Sequence, residues 1–491
     1  MKLDALLTGL GTPAVSGAVD REISAITYDS RRAGRGSVFV AVKGEHVDGA
    51  MFIPKAVAAG AEAIVAEKDF DAGDAVKVLV PNARHALADL ATTFYDHPAR
   101  ALKVVGITGT NGKTTTAFLI KHICDQQMYR CGMIGTVRYE IGDKILPAAR
   151  TTPESLDLQD LLWQMKSAGC RAAVMEVSSH ALVQSRVRGI GFDAAVFTNL
   201  TQDHLDYHKT IDAYFDAKAR LFTGLIEQRK KAKAVINADD RYGQLLVQKL
   251  GEDVPIVTYG QGARADFRAG NVRSDFNGTS YQLDALGKSY LVRLPSIGSF
   301  NVYNSLAALA ATSAIGIEVR HGVLALAQAP AVPGRLQPVP GQRQFRVFVD
   351  YAHTPDALLN VLKTCRELKP ARLIVVFGCG GNRDRTKRPK MGAVADEYAD
   401  FSIVTNDNPR KEKPVAIIEE ITGAMTAGRY EVIVDRREAI ITAIQIAGPR
   451  DIILIAGKGH ENYQEFADHT IPFDDAAIAA AAVGSKGEGA W

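Results

Sequence analysis

A chain of 491 residues is long enough for roughly three domains. At 47% hydrophobic and 23% charged residues it has the composition of an ordinary globular protein, and 58 basic against 55 acidic side chains leave a net charge of +3, too even to point to nucleic acid or a membrane surface. The five cysteines (Cys124, Cys131, Cys170, Cys365, Cys379) are scattered with no CxxC pair, which gives neither a metal nor a disulfide framework and fits a reducing compartment.

The N-terminal apolar run is too short and interrupted for a signal peptide, and no stretch approaches ~18 apolar residues, so the expectation is a cytoplasmic enzyme, monomeric, with no membrane or nucleic-acid partner. Residues 1–98 read as a first unit. Ser37–Val42 has the pattern of a strand, and Met51–Val65 passes from a helical stretch into the strand Ala63–Ala66, a βαβ-like rhythm. Upstream, Tyr28-Asp-Ser30-Arg-Arg32 sets a hydroxyl beside two guanidinium groups, which suits a phosphate or sugar but equally a solvated turn. The polar, glycine-bearing segment from Lys43 to Gly49, with Glu45, His46 and Val47, suits a ligand loop.

A second unit is expected over 99–332. Leu102–Ile107 reads as a buried parallel strand and Ala117–Cys124 as a helix packed on a sheet. Between them lies Gly109-Thr110-Asn111-Gly112-Lys113-Thr114-Thr115. Glycines let a backbone close around phosphate oxygens, the helix start aims N–H groups at them, lysine adds a point charge, and a hydroxyl follows for Mg²⁺. The common P-loop spacing would need glycine at Ile107, and Gly106 stands one residue too early.

Further on, Arg150-Thr151-Thr152-Pro153-Glu154 precedes a helix over Leu156–Ser167. The buried strand Arg171–Val177 carries Glu176 near its carboxyl end, followed by Ser178 and His180. A carboxylate amid Ala, Val and Met is costly to bury unless a cation neutralises it, so Glu176 is a candidate Mg²⁺ ligand, an arginine partner being the alternative. The strand Ala194–Thr198 opens into a segment with Asp203, His204, Asp206 and His208, dense chemistry that fits no zinc spacing. In the helix from Ile211, Lys218 shares the apolar face with Tyr214 and Phe215. Burial there would leave a neutral, nucleophilic amine able to take up CO₂ as a carbamate; snorkelling to solvent is the other outcome. Residues 255–294 read as a local antiparallel insertion. Asn301 and Asn304, ahead of a helix over Leu306–Ile315, are either caps or readers of a purine edge.

The third unit is expected over 333–491. Its strands Phe345–Val349, Arg372–Phe377, Phe401–Thr405 and Asp451–Ala456 alternate with helices, which implies a parallel sheet whose following loops share one crevice at the carboxyl edge. Arg383, Arg385, Arg388 and Arg410 crowd those loops beside Glu461, so the ligand should be anionic with a cationic group.

Taken together, Thr108–Thr114, Glu176–His180, Thr198–Asp206, Asn301–Asn304, Pro333–Arg335 and Asp350–Asp356 resemble the blocks of the Mur ligases of peptidoglycan synthesis, over nearly the whole chain. Asp29–Arg31, Thr151–Pro153 and Leu182–Arg186 look like that family's nucleotide-sugar peptide contacts, and Asp407-Asn-Pro-Arg410 resembles the signature of members adding meso-diaminopimelate. The resemblance implies an α/β fold of three domains: 1–98 for UDP-MurNAc-dipeptide, 99–332 with a P-loop ATPase-like parallel sheet, and 333–491 with a Rossmann-like sheet for the amino acid. It implies ATP contacts at Gly109, Thr110, Asn111, Gly112, Lys113, Thr114, Thr115, Asn301, Arg335 and Asp350. Dipeptide contacts would be Ser30, Thr151, Thr152, Ser178, Gln184 and Arg186; diaminopimelate contacts would be Arg388, Asp407, Asn408, Pro409, Arg410, Gly457 and Glu461. Mg²⁺ would be held by Thr114, Glu176, His204 and a carbamylated Lys218, with Lys113, Lys218 and His204 catalytic. A lysine-adding ligase, a folylpolyglutamate synthase-like ligase and a P-loop ATPase acting on a partner protein are the competing readings.

Overall fold

The computed structural model describes residues 1–44, 47–228, 230–341 and 344–485; Glu45 and His46 of the first-unit loop lie outside the described residues. The chain forms two compact units. One holds residues 1–269, 283–290 and 303–325; the other holds 270–282, 291–302 and the residues from 326 onward.

The first unit begins with a five-stranded sheet of β1 (Ala14–Ser16), β2 (Ala25–Thr27), β3 (Ser37–Val40), β4 (Ala63–Ala66) and β5 (Val76–Leu79), in the order β1-β5-β4-β3-β2. All neighbours are parallel except β1 with β5. The four residues of β3 and of β4 are all buried, as expected of parallel strands covered on both faces.

An eleven-stranded sheet follows: β6 (Lys103–Thr108), β7 (Cys131–Ile134), β8 (Arg138–Ile141), β9 (Lys144–Pro147), β10 (Ala172–Glu176), β11 (Ala194–Phe197), β12 (Lys233–Asn237), β13 (Ile256–Gly260), β14 (Phe267–Asp275), β15 (Gly278–Ala285) and β16 (Lys288–Leu294). Its order is β16-β15-β14-β13-β12-β11-β6-β10-β7-β8-β9. From β6 the chain skips one place to β7, runs outward through β8 and β9, returns to fill the gap with β10, then crosses to β11 on the other side of β6, so a topological switch point lies beside β6. Parallel register sets Glu176 opposite Ile107 and Phe197 opposite Thr108, which brings the carboxyl ends of β10, β6 and β11 to one edge. The expected antiparallel insertion at 255–294 is corrected in its first half: β13 pairs parallel with β12, and β14 parallel with β13. Alternating polarity marks a strand as half-exposed, as β14 is, but does not fix its direction relative to its neighbours.

In the second unit, β17 (Gln337–Pro338), β18 (Arg346–Asp350), β19 (Leu373–Phe377), β20 (Phe401–Val404), β21 (Tyr430–Val432) and β22 (Ile452–Ala456) form a sheet in the order β17-β18-β22-β19-β20-β21, parallel throughout except β17. The loops after β18, β19, β20 and β22 therefore leave by the same carboxyl edge. A small antiparallel ribbon of β23 (Tyr463–Glu465) and β24 (Thr470–Pro472) follows. The helix expected from Leu306 begins earlier, at Ser299, so Asn301 and Asn304 lie inside it and are not caps; Asn301 Nδ2 donates back to the Ile297 carbonyl at 2.8 Å. Among the described residues no helix is long and apolar enough to cross a membrane, and all five cysteines are buried and unpaired.

Gly106, the glycine that falls too early for the common phosphate-loop spacing, sits within β6 and not in the loop. A Cβ there would stand 2.6 Å from Phe192 Cε1, so glycine at this position serves ring packing in a strand buried from Val104 to Thr108. Gly106→Ala should therefore destabilise the fold by about 1–3 kcal/mol through overpacking, measured by urea unfolding, with nucleotide affinity of the folded protein unchanged; loss of affinity with unchanged stability would contradict this role.

Candidate functional site

The loop after β6 is shaped by two glycines. Gly109 has φ +147° and a Cβ there would overlap Thr198 Oγ1 at 1.8 Å; Gly112 has φ +88° and a Cβ there would reach Asn304 Oδ1 at 2.4 Å. The end of β11 clamps the loop. Thr198 Oγ1 donates to the Asn111 carbonyl at 2.7 Å, Asn111 N donates to Asn199 Oδ1 at 2.9 Å, and Thr110 N donates to the Asn199 carbonyl at 2.9 Å. The helix Lys113–Gln126 begins directly after Gly112 with no side-chain cap, which leaves its first amides aimed at the loop. Lys113 Nζ folds back onto the carbonyls of Gly109 (3.0 Å) and Thr110 (2.8 Å), so the charge is held over the loop.

At the end of β10, Glu176 is 1% exposed. Thr114 Oγ1 donates to its Oε2 at 3.0 Å, Thr136 N to its Oε1 at 2.8 Å, and Thr136 Oγ1 to its Oε2 at 3.2 Å. These donors are neutral, and among the described residues no lysine or arginine pairs with it, so the arginine-paired alternative does not hold here. Gly135 gives Glu176 room: a Cβ there would lie 2.4 Å from Oε1. A buried carboxylate with neutral partners, joined to the hydroxyl that follows the loop lysine, fits Mg²⁺, which takes one or two protein oxygens and completes its shell with water and substrate phosphate. No three His, Cys, Asp or Glu side chains gather into a metal cage among the described residues. Thr136 was not singled out from sequence. The available signal was Gly135-Thr136 following the apolar run Cys131–Ile134, a strand end on the same edge.

Lys218 is 1% exposed on the helix Ile211–Glu227. It does not snorkel: Nζ donates to the Gly109 carbonyl at 2.7 Å and lies 4.3 Å over the Tyr214 ring. Burial pushes its pKa well below the usual lysine range, Lys113 pushes it further down, and Asp203 opposes both. His204 is half-exposed, with φ +53°; its ring stands edge-on to His180 and Tyr214, and Nε2 is 3.4 Å from Asp203 Oδ2. His208 is buried and pairs with Ser179 Oγ at 2.9 Å.

Two of the residues expected to hold a peptide are linked to Glu176, Thr151 to its carboxyl group through Thr136 and Thr152 to its main-chain carbonyl. Thr151 Oγ1 lies 3.0 Å from Thr136 Oγ1; Thr152 Oγ1 donates to the Glu176 carbonyl at 2.8 Å and accepts from Ser178 N at 3.1 Å. Arg186 donates to the Thr152 carbonyl and, through Nε and Nη2, to Gln184 Oε1. Ser30 is buried in a short 3₁₀ turn; the neighbouring Arg31 is spent on Asp29.

The second unit carries its own cluster. Asp350 is buried and gives both oxygens to backbone amides, of Leu336 and Ala352; burial pushes its pKa up, opposed by Arg335 and those amides. Arg335 lies 5.1 Å over the Tyr351 ring. Asn408 is the node of the β20 and β22 loops: Nδ2 donates to Glu461 Oε2 (2.9 Å), while Oδ1 accepts from Lys458 Nζ (2.9 Å) and Glu465 N (3.0 Å). Gly457, with φ +115°, leaves space for Asp407 Oδ2, 2.7 Å from where a Cβ would stand. The Pro409 carbonyl packs so closely on Gly381 that a Cβ there would lie at 1.9 Å. Arg410 donates from Nε to Glu465 Oε2 (2.8 Å) and from Nη1 to the Gly381 carbonyl (3.0 Å), which leaves Nη2 without a partner among the described residues. Arg388 differs from expectation. It is fully buried, both Nη groups are taken by Glu412 and Glu420, and its Nε has no partner among the described residues, so its fork is not open to a ligand.

Family models match three segments: Mur ligase family, catalytic domain, over residues 22–95; Mur ligase middle domain over 107–312; and Mur ligase, glutamate ligase domain, over 334–459. UDP-N-acetylmuramoyl-L-alanyl-D-glutamate--2,6-diaminopimelate ligase of Syntrophomonas wolfei is 45% identical over 484 residues, 98% of each chain. The ligase of the same name from Geobacillus kaustophilus is 46% identical over 492 residues, 99% of this chain and 100% of that one. A solved structure of a ligase of that name has a TM-score of 0.73 and 33% identity, covering 99% of this chain and 100% of that chain. The chain belongs to the Mur ligase family and has its three-domain α/β fold.

Proposed function

We propose that this chain is an ATP-dependent ligase that joins meso-diaminopimelate to the γ-carboxylate of D-Glu in UDP-MurNAc-L-Ala-D-Glu, in peptidoglycan precursor synthesis. The observation that carries this is identity of 45–46% over 98–99% of the chain to ligases so named. Residues 1–98 bind the nucleotide-sugar dipeptide, 99–332 bind ATP, and 333–491 bind the amino acid; the reaction takes place in the cytoplasm, on a monomer.

The reaction transfers the ATP γ-phosphoryl group to an oxygen of the D-Glu side chain and releases ADP. The amine of diaminopimelate then attacks the acyl carbon and loses a proton, and the carbon–oxygen bond to phosphate breaks. Such steps need charge neutralisation and alignment more than covalent help from the protein. Lys113, fixed by the Gly109 and Thr110 carbonyls, places a cation over the phosphates, and the amides from Gly109 to Thr115 cradle them. Thr114 and Glu176 would hold Mg²⁺, with His204 and a carbamylated Lys218 completing the set. Bound Mg²⁺ neutralises charge on the transferring phosphoryl oxygens. Asn301, Arg335 and Asp350 serve the nucleotide, with Asp350 acting through the backbone beside Arg335.

Ser30, Thr151, Thr152, Ser178, Gln184 and Arg186 hold the dipeptide. For the amino acid, the open Nη2 of Arg410 receives the distal carboxylate and Glu461 the distal ammonium, framed by Asp407, Asn408, Pro409 and Gly457. Arg388 braces this loop through Glu412 instead of binding the ligand directly.

Phosphate release, measured with UDP-MurNAc-L-Ala-D-Glu plus diaminopimelate, lysine or glutamate in turn, tests the assignment. Release only with diaminopimelate is expected; release with lysine or glutamate, or with no amino acid, would replace it with the lysine-adding, folylpolyglutamate synthase-like or ATPase reading. Arg410→Ala should raise KM for diaminopimelate by 30-fold or more, about 2–5 kcal/mol by analogy with charge pairs at interfaces, and leave KM for ATP nearly unchanged; equal effects on both would sink the role. Lys218 as a neutral amine takes up CO₂ and releases a proton. Incubation with ¹³C-bicarbonate should then give a carbamate carbon signal that is absent from Lys218→Ala, and no difference between the two proteins would refute carbamylation.

A further inference from the structure

Glu154, just before the helix Ser155–Ser167, occupies the N-cap position yet makes no cap bond with its side chain. Its carboxylate, 13% exposed, instead gathers three arginines: Oε1 meets Arg150 Nη1 at 2.8 Å and Arg186 Nη2 at 3.2 Å, and Oε2 meets Arg84 Nη1 at 3.3 Å. Three guanidinium groups against one carboxylate leave the cluster net positive, with Asp157 of the same helix offsetting part of that charge. Arg84 and Arg186 are largely buried, at 22% and 11% side-chain exposure, so solvent screens that excess weakly. Arg84 also donates from Nη2 to the Lys43 carbonyl at 3.1 Å, at the start of the loop that sequence marked as ligand-binding. The adjacent His85 reaches Ser185 Oγ at 3.0 Å, next to Arg186. Arg186 continues to the Thr152 carbonyl, and Thr152 to Glu176. One bonded series thus runs from the 1–98 segment to the main-chain carbonyl of Glu176, at the end of β10 beside the nucleotide loop.

We propose that Glu154 and Arg84 are positioning and specificity residues for the nucleotide-linked dipeptide, an inference that rests on the function proposed above. The acidic residue of the dipeptide carries two carboxylates. One reacts near Glu176; the other, which does not react, meets the excess charge of the arginine cluster. Glu154 sets the angle of Arg186 and keeps Arg84 turned toward Lys43. Without it, the guanidinium groups repel one another and lose their shared orientation.

The experiment is steady-state kinetics on full-length Glu154→Gln, Arg84→Ala and their double variant, with the natural dipeptide nucleotide and with an analogue whose unreactive carboxylate is an amide. Each single variant should raise KM for the natural substrate about tenfold, with KM for ATP and diaminopimelate within about twofold. The double variant should be no worse than the larger single, since the two side chains act as one unit. With the amide analogue the penalty should vanish, because the group that reads the arginines is gone; a purely structural role would penalise both substrates alike. If Glu154→Gln does not fold, Arg84→Lys, which keeps the charge and loses the fork, carries the same comparison. Unchanged KM for the dipeptide, equal rises for ATP, or an undiminished penalty on the analogue would overturn the inference. Wild-type turnover of the dipeptide with diaminopimelate is the control on the underlying reading, whose failure would be seen before any variant is compared.

Discussion

Glu176 places a carboxyl group at the end of a buried parallel strand, where its donors among the described residues are all neutral. A buried carboxylate so placed is stable when its lone pairs are filled and a cation stands near. The first condition is met by two segments distant in sequence, the helix after the β6 loop through Thr114 and the end of β7 through Thr136, while Thr152 holds the Glu176 main-chain carbonyl. The second is the chemistry that a metal supplies. Satisfying this one group brings together the helix after the β6 loop, the end of β7 and the end of β10.

The same economy appears at the Gly109 carbonyl, which accepts from both Lys113 and Lys218. Burial, and then the neighbouring Lys113, push the Lys218 pKa well below the usual lysine range. A lysine on the apolar face of a helix looks like a packing error; beside a second lysine it becomes a device for keeping an amine unprotonated. Tyr214, whose ring faces Lys218, contributes to this dry setting.

The second unit repeats the pattern with an amide at its centre. Asn408 has one donor group and one acceptor, and uses them to bind Glu461, Lys458 and the Glu465 backbone, fixing the loops after β20 and β22 against each other. Arg410 is aimed by Glu465 and by the Gly381 carbonyl, which spend two of its arms and orient the third. Arg388 is locked by Glu412 and Glu420 behind that loop. Rigid support of this kind fixes the direction in which the remaining arm of Arg410 points.

Much of the architecture was legible in the chain itself. Apolar runs such as Ala194–Phe197 and Ile452–Ala456 carry the signature of strands covered on both faces, and helical periodicity alone put Lys218 on the inward face. Local composition could do this because burial of a strand or helix face depends on residues near one another in sequence. It could not show that Gly106 serves Phe192, that Thr136 and not an arginine meets Glu176, that β13 and β14 run parallel to β12, or that Glu412 and Glu420 occupy Arg388. Each of those turns on partners brought together from distant segments, and charge pairing has no sequence period. The sequence determined which elements form and which groups are chemically capable; the tertiary structure decided which arginines are spent on carboxylates and which remain open to a ligand, because that choice is made by distance.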